Sequence, residues 1–156
     1  MKIILALLCF CVAACKAPGP IAATDIIDTL ILVHRSSELS DLLKVLGTPV
    51  KVESMEDPSL KRYVFESDQS VVEALVDVSA KRVMTSSTMF WKSDDDYALL
   101  RRRFAGHAWV EEFVPTSPHP IQELYQVRIP DLGISFEYDK LAPKIMWIYF
   151  SKPEER

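Results

Sequence analysis

Two stretches of this chain carry the same order of signals: a short amphipathic helix closed by glycine, then four strand-like runs. In SSELSDLLKVLGTP, 36–49, Leu39, Leu42, Leu43 and Leu46 recur at i, i+3, i+4 and i+7, the spacing of one helical face, and Gly47 followed by Pro49 stops the helix. In SDDDYALLRRRFAG, 93–106, Tyr97, Leu100 and Phe104 form the stripe, Ser93 with Asp96 makes a capping-box pattern, and Gly106 ends it. The first helix leads into VKVES (50–54), KRYVFES (61–67), SVVEALVDV (70–78) and KRVMTSSTMFW (81–91). The second leads into HAWVEEF (107–113), ELYQVRI (123–129), GISFEYD (133–139) and KIMWIYF (144–150).

The register of the two stretches agrees. At a constant separation of 62, Tyr63 matches Tyr125, Asp77 matches Asp139, Ala80 matches Ala142, and Arg82-Val83-Met84 matches Lys144-Ile145-Met146. The helices lie closer, about 58 apart, so one short insertion is needed, and the TSPHP segment supplies it. This predicts an α+β chain of two repeated units, each a short helix packed on a four-stranded antiparallel meander, over 25–92 and 93–156. The alternative is one continuous α+β sheet in which similar hairpins recur without ancestry. The lead TLILVH, 29–34, reads either way: its β-branched residues favour a strand, while Ile26, Ile27, Leu30, Val33 and His34 also suit a helical face.

All three cysteines, at 9, 11 and 15, precede this pattern. Met1-Lys2 is a basic start, Ile3 to Val12 is apolar, and Ala13-Ala14 are small, the order of a signal peptide. The run is too short for a membrane span, which needs about 20 apolar residues, and Pro18-Gly19-Pro20 ends it. The sequence Val12-Ala13-Ala14-Cys15 resembles the lipobox of bacterial lipoproteins. That resemblance implies removal of residues 1–14 and acylation of Cys15, with KAPGPIAAT, 16–24, as a tether. Several acyl chains hold a protein where one is marginal. Ordinary secretion with a free Cys15 thiol is the alternative. Lys16 stands where an inner-membrane retention aspartate is found in enterobacterial lipoproteins, which implies an outer-membrane location facing the periplasm.

Loss of residues 1–14 removes one charge, Lys2, and takes the net charge from -4 to -5. A mildly acidic chain with scattered charges has no electrostatic reason to seek nucleic acid. With no cysteine beyond position 15, neither an internal disulfide nor a thiolate metal cluster is available, so stability rests on burying apolar surface, and 49% of the residues are apolar.

The lead LILVH, the LLxxLGxP core at 42–49 and the strands that follow look like the helix-and-meander units of two bacterial groups. One is the small lipoprotein subunit of the outer-membrane β-barrel assembly machinery. The other is the secreted β-lactamase inhibitor protein, which carries two such units in tandem. The resemblance implies binding rather than catalysis, because both groups present a sheet face to another protein.

The chemistry-bearing residues point the same way. His34, His107 and His119 have no metal-ligand spacing, and no cofactor is expected. Glycines at 19, 47, 106 and 133 cannot build a phosphate loop, and no GxSxG elbow exists. Asp94-Asp95-Asp96 suits a helix start better than calcium. Arg101-Arg102-Arg103 is a solvated face or, with Arg102 as the candidate, a contact to acidic lipid or an acidic partner. Glu111, Glu112 and Asp139 would serve a glycosidase only if folding brought two of them about 5–10 Å apart.

Binding candidates lie near the end of the chain. In GISFEYD, Ile134, Phe136 and Tyr138 alternate with Ser135 and Glu137, so one face is wet. In KIMWIYF, Ile145, Trp147 and Tyr149 fall on one face and Met146, Ile148 and Phe150 on the other. Such a strand is either central and covered on both sides, or it displays Trp147 and Tyr149 as an aromatic anchor that Trp91 and Trp109 could extend. The loop VPTSPHPIQ, 114–122, with His119, is a second candidate contact. The expected function is a non-enzymatic periplasmic lipoprotein that binds a protein partner, as inhibitor or immunity protein against a hydrolase or antibacterial effector. The alternative is an accessory subunit of an outer-membrane or envelope assembly machine. A hydrolytic site would instead place His107 or His119 on a carboxylate beside a nucleophile in a cleft.

Overall fold

A computed structural model describes residues 23–67, 70–115 and 123–154, the first three by backbone alone. Cys15, the signal segment and His119 lie outside the described residues. The ambiguous lead is a helix, α1 (Ala23–Ser36), which takes in two residues expected in the tether. Burial decides it: Ile26, Ile27, Leu30, Ile31, Val33 and His34 face the core while Asp28, Leu32 and Arg35 face solvent. One fully covered stripe outweighs the weak helical propensity of its β-branched residues.

The second helix, α2 (Leu39–Leu46), buries Leu42 and rests Leu39, Leu43 and Leu46 on the core; Gly47 follows at φ 77°. The corner between α1 and α2 is stitched to the hairpin that turns at residues 78–81. Ser37, at φ 58°, donates its N–H to the Val33 carbonyl and accepts that of Val83, and Leu39 donates to the Lys81 carbonyl.

Among the described residues eight strands form one antiparallel sheet: β1 (Lys51–Ser54), β2 (Leu60–Ser67), β3 (Ser70–Asp77), β4 (Arg82–Met89), β5 (Val110–Phe113), β6 (Leu124–Ile129), β7 (Ile134–Asp139) and β8 (Trp147–Ser151). Their order is β1-β2-β3-β4-β8-β7-β6-β5. Two four-stranded meanders therefore meet edge to edge through β4 and β8, where Ser87 faces Tyr149. The fold is α+β, and the two halves share a continuous sheet rather than standing apart. The third helix, α3 (Asp96–Arg103), connects β4 to β5.

The three helices of the described residues cover the same face. His34 of α1 meets Ser86 of β4, and Tyr97 of α3 stacks on Tyr138 of β7 at 4.2 Å. Between the layers lie Val72, Ala74, Val76, Val83, Val127, Ile134, Phe136, Ile148 and Phe150, all buried, each the inward member of an alternating strand. No described helix is long and apolar enough to cross a membrane.

One turn demands glycine. A 3-10 turn, Pro130–Leu132, joins β6 to β7, and Gly133 after it has φ 65°. A Cβ there would meet the Ser151 carbonyl oxygen at 2.1 Å. Gly133→Ala combines left-handed backbone with a backbone clash, and is expected to lower stability by about 2 kcal/mol. Urea unfolding checks this; a loss below about 0.5 kcal/mol would contradict it.

Candidate functional site

The face opposite the helices carries no helix among the described residues, and β8 lies at its middle. Alternation along β8 sends Ile148 and Phe150 into the core and leaves Trp147 half-buried and Tyr149 49% exposed on the open face. Across the sheet Trp147 faces Met89 of β4, 48% exposed, and Tyr149 lies between Ser87 and Ser135. Just beyond the strand ends, Trp91 and Met146 are 59% and 57% exposed. The result is an apolar patch on a central strand, where flanking strands hold the backbone and only side chains are free to adjust.

The strand itself is shorter than its sequence pattern suggested, and two assignments change. Ile145 does not share the face of Trp147; it is fully buried, and its N–H is held by Asp96 at 3.1 Å. Met146 is exposed rather than inward with Ile148, and its carbonyl accepts the Phe90 N–H. Alternation begins only at Trp147, because residues 144–146 follow the loop between β7 and β8 rather than a ladder.

Beside the patch is a hollow of about 280 Å³ whose lining includes Leu124, Glu137, Asp139, Met146, Trp147 and Tyr149. Glu137 is exposed and makes no ion pair among the described residues. Asp139 uses one oxygen to accept the Leu141 N–H at 2.9 Å. Lys144 also borders the hollow, but its ammonium is turned away, donating to the Ser93 carbonyl at 3.0 Å and lying 3.2 Å from Asp94 and 4.8 Å from the centre of the Trp91 ring.

The other candidates are scattered. Arg102 is exposed on α3, in the helical layer, and so is not brought to Trp147 and Tyr149. Its neighbours are engaged: Arg103 pairs with Asp28 at 2.8 Å, and Arg101 lies 4.6 Å over the Trp109 ring. Trp109 belongs to the helical side, edge-on to Tyr97 and Phe136, its indole N–H on the Phe104 carbonyl. It does not extend the patch. Glu111 and Glu112 point to opposite faces, the first accepting from the Tyr97 hydroxyl at 2.5 Å and the second paired with Arg128 at 2.7 Å. Burial is the chief cause that raises the Tyr97 hydroxyl above its ordinary value, with Glu111 adding to it.

His107 meets half of the requirement for a hydrolytic site, since its Nδ1 lies 2.7 Å from Asp131. It borders a groove of about 540 Å³ between α1 and the end of α3, with Asp28, Ile31, Leu32, Arg35 and Arg103. No hydroxyl or thiol lines that groove among the described residues. His34 is fully buried with Ser86, 2.8 Å from its Nε2, and lines neither the groove nor the hollow. No group of three His, Cys, Asp or Glu suited to a metal occurs among the described residues.

Sequence reasoning missed Met89 and Asp96. Met89 could have been found by its alternation with Thr88 and Ser86; Asp96 was hidden in an acidic triplet that the helix dipole already explains. No known protein family, curated protein or solved structure matches the chain.

Proposed function

We propose that this chain is a lipid-anchored periplasmic binding protein without catalytic activity, which uses the open sheet face around Tyr149 to occlude a protein partner, as inhibitor or immunity protein against a hydrolase or antibacterial effector. The observation that carries this reading is the cluster of exposed Met89 and Tyr149 with half-buried Trp147 on central strands, away from the three described helices. A monomer gains nothing by leaving such a patch wet, and aromatic residues on a rigid platform are the side chains that dominate interface energetics. Anchoring through Cys15 at the outer membrane would hold this surface in the periplasm.

The same reading treats the halves as a duplication of one helix and four strands, α2 matching α3, with α1 an additional helix that leads into the first half. Its support is the central pairing: Ser87 faces Tyr149, its own counterpart 62 residues on, which is the pairing a two-fold related repeat requires. The match of Tyr63 with Tyr125 does not survive. Tyr63 faces Ala74, whose counterpart Phe136 faces Val127, so Val127 takes the place of Tyr63. The second hairpin closes two residues earlier, and that shift moves β6 out of the constant register.

The experiment is affinity capture from solubilised envelopes through a tag at Arg156, comparing the natural chain with Tyr149→Ala. The expected result is one stoichiometric hydrolase or toxin, with about thirtyfold weaker capture by the variant, the scale of an interface anchor. Barrel proteins and other lipoproteins captured equally by both would assign the chain to an assembly machine instead. Cys15→Ser is expected to release the protein from the membrane fraction; a variant that stays in the pellet would remove the anchor.

A further inference from the structure

We infer that the hollow beside β8 receives an arginine side chain borne by the protein partner. This rests on the reading of the open sheet face as a docking surface and names what that surface recognises.

Spacing comes first. Trp147 and Tyr149 are two residues apart on one face of a strand, so their Cβ atoms stand about 7 Å apart. That is about twice the thickness of a planar π group, so rings turned parallel at this spacing would take one flat ligand between them, and both side chains line the hollow. A guanidinium is flat, weakly hydrated and attracted to ring faces, whereas an ammonium is compact and strongly hydrated.

Charge comes second. Glu137 lies on the same sheet face as the two rings and Asp139 follows it two residues on, both in the lining of the hollow. Among the described residues the one cation at its border, Lys144, is committed to Ser93, Asp94 and Trp91. The hollow therefore holds carboxylate charge that no cation of the described chain neutralises. An anionic group would be repelled, and an apolar side chain would desolvate the carboxylates without compensation. An arginine satisfies both features at once, its plane against the rings and its N–H edge on Glu137, an ion pair strengthened by two-point hydrogen bonding.

The test uses the full chain in detergent, labelled with nitrogen-15, and three capped tripeptides as probes: Gly-Arg-Gly, Gly-Lys-Gly and the neutral isostere with citrulline in the middle. The expected result is a saturable shift of the Trp147 indole N–H with the arginine peptide, weaker by about fivefold or more with citrulline or lysine. Glu137→Gln, an exposed position, is expected to reduce the arginine response to the citrulline level. Equal responses to all three peptides, no saturable response, or an arginine response indifferent to Glu137→Gln would each overturn the assignment. Partner capture that depends on Tyr149 without any arginine response would overturn this inference and leave sheet-face docking standing. An arginine response without partner capture would support the hollow's specificity and overturn docking.

Discussion

Asp96→Ala is expected to destabilise the protein by about 4 kcal/mol, more than any other substitution proposed for this chain. Asp96 is fully buried in the first turn of α3. One of its oxygens accepts the N–H groups of Lys92 and Ser93, both at 2.9 Å, and the other accepts that of Ile145 at 3.1 Å. Hydrogen bonds to a charged group contribute about 1.5–3 kcal/mol each, and a buried donor left without a partner costs about 1–3 kcal/mol. Alanine leaves the buried Ile145 N–H without a partner and takes the acceptor from the Lys92 and Ser93 N–H groups, which lie nearer solvent. The loss is also not local. Lys92 and Ser93 follow β4 and Ile145 precedes β8, so one carboxylate joins the two central strands and α3 across the middle of the sheet. Asp96→Asn keeps one acceptor but turns an amide N–H₂ toward either the Ile145 or the Ser93 donor, and about half the loss is expected. Thermal unfolding should drop by about 10 °C for the alanine variant, at roughly 2–4 °C per kcal/mol for a chain of this size. A change of less than about 1 kcal/mol in Asp96→Ala would show that the carboxylate is replaceable by solvent.

That carboxylate also marks where sequence reasoning stops. The triplet Asp94-Asp95-Asp96 announced a helix start, and Ser93 with Asp96 suggested a capping box. In the fold Asp95 is the cap, accepting the Ala98 N–H at 2.8 Å, which frees Asp96 to reach backward and across to Ile145. Nothing local distinguishes three adjacent aspartates; the choice is made by residue 145, which the sheet brings near. The eight strands and two of the helices were legible because alternation and i, i+3, i+4 spacing are local. The α1 assignment needed burial on a surface not yet known. Trp147 and Tyr149 pose the same problem on the site side. A strand apolar on both faces is consistent with full coverage or with a displayed patch, and only the placement of all three helices on the Phe150 face decides between them. Arg102 shows the opposite failure, since a basic run says nothing about which layer its helix joins.

Acidification is expected to unfold the protein through His34. The ring is fully enclosed by the sheet, its Nε2 is 2.8 Å from the Ser86 hydroxyl, and its Nδ1 has no partner among the described residues. Phe150 lies parallel to it with ring centres 6.4 Å apart. Burial lowers its pKa from 6.5 to about 4, because a charged imidazolium there would bring a second N–H with nothing to accept it. The folded value is thus depressed below the unfolded one for a base. Above pH 6.5 neither state holds the proton and stability is complete; between 6.5 and 4 the unfolded chain takes up a proton that the folded chain refuses, and stability falls with pH. One pKa unit corresponds to about 1.4 kcal/mol, so the loss accumulates to about 3 kcal/mol by pH 4. Glu53, Asp57 and Asp77 also have lowered values, and their contributions are lost at lower pH still. The comparison that isolates the histidine is the slope of unfolding free energy against pH for the natural chain and for His34→Leu, measured in urea from about pH 7 to pH 4.5. Leucine changes the overall stability through packing and through the Ser86 hydroxyl it abandons, but it cannot titrate. The natural chain is expected to lose about 2 kcal/mol more than the variant across that range. Equal slopes would mean that His34 gains its proton without unfolding, through a rotation that exposes Nδ1 to an acceptor, and the buried neutral imidazole would no longer be what limits this fold in acid.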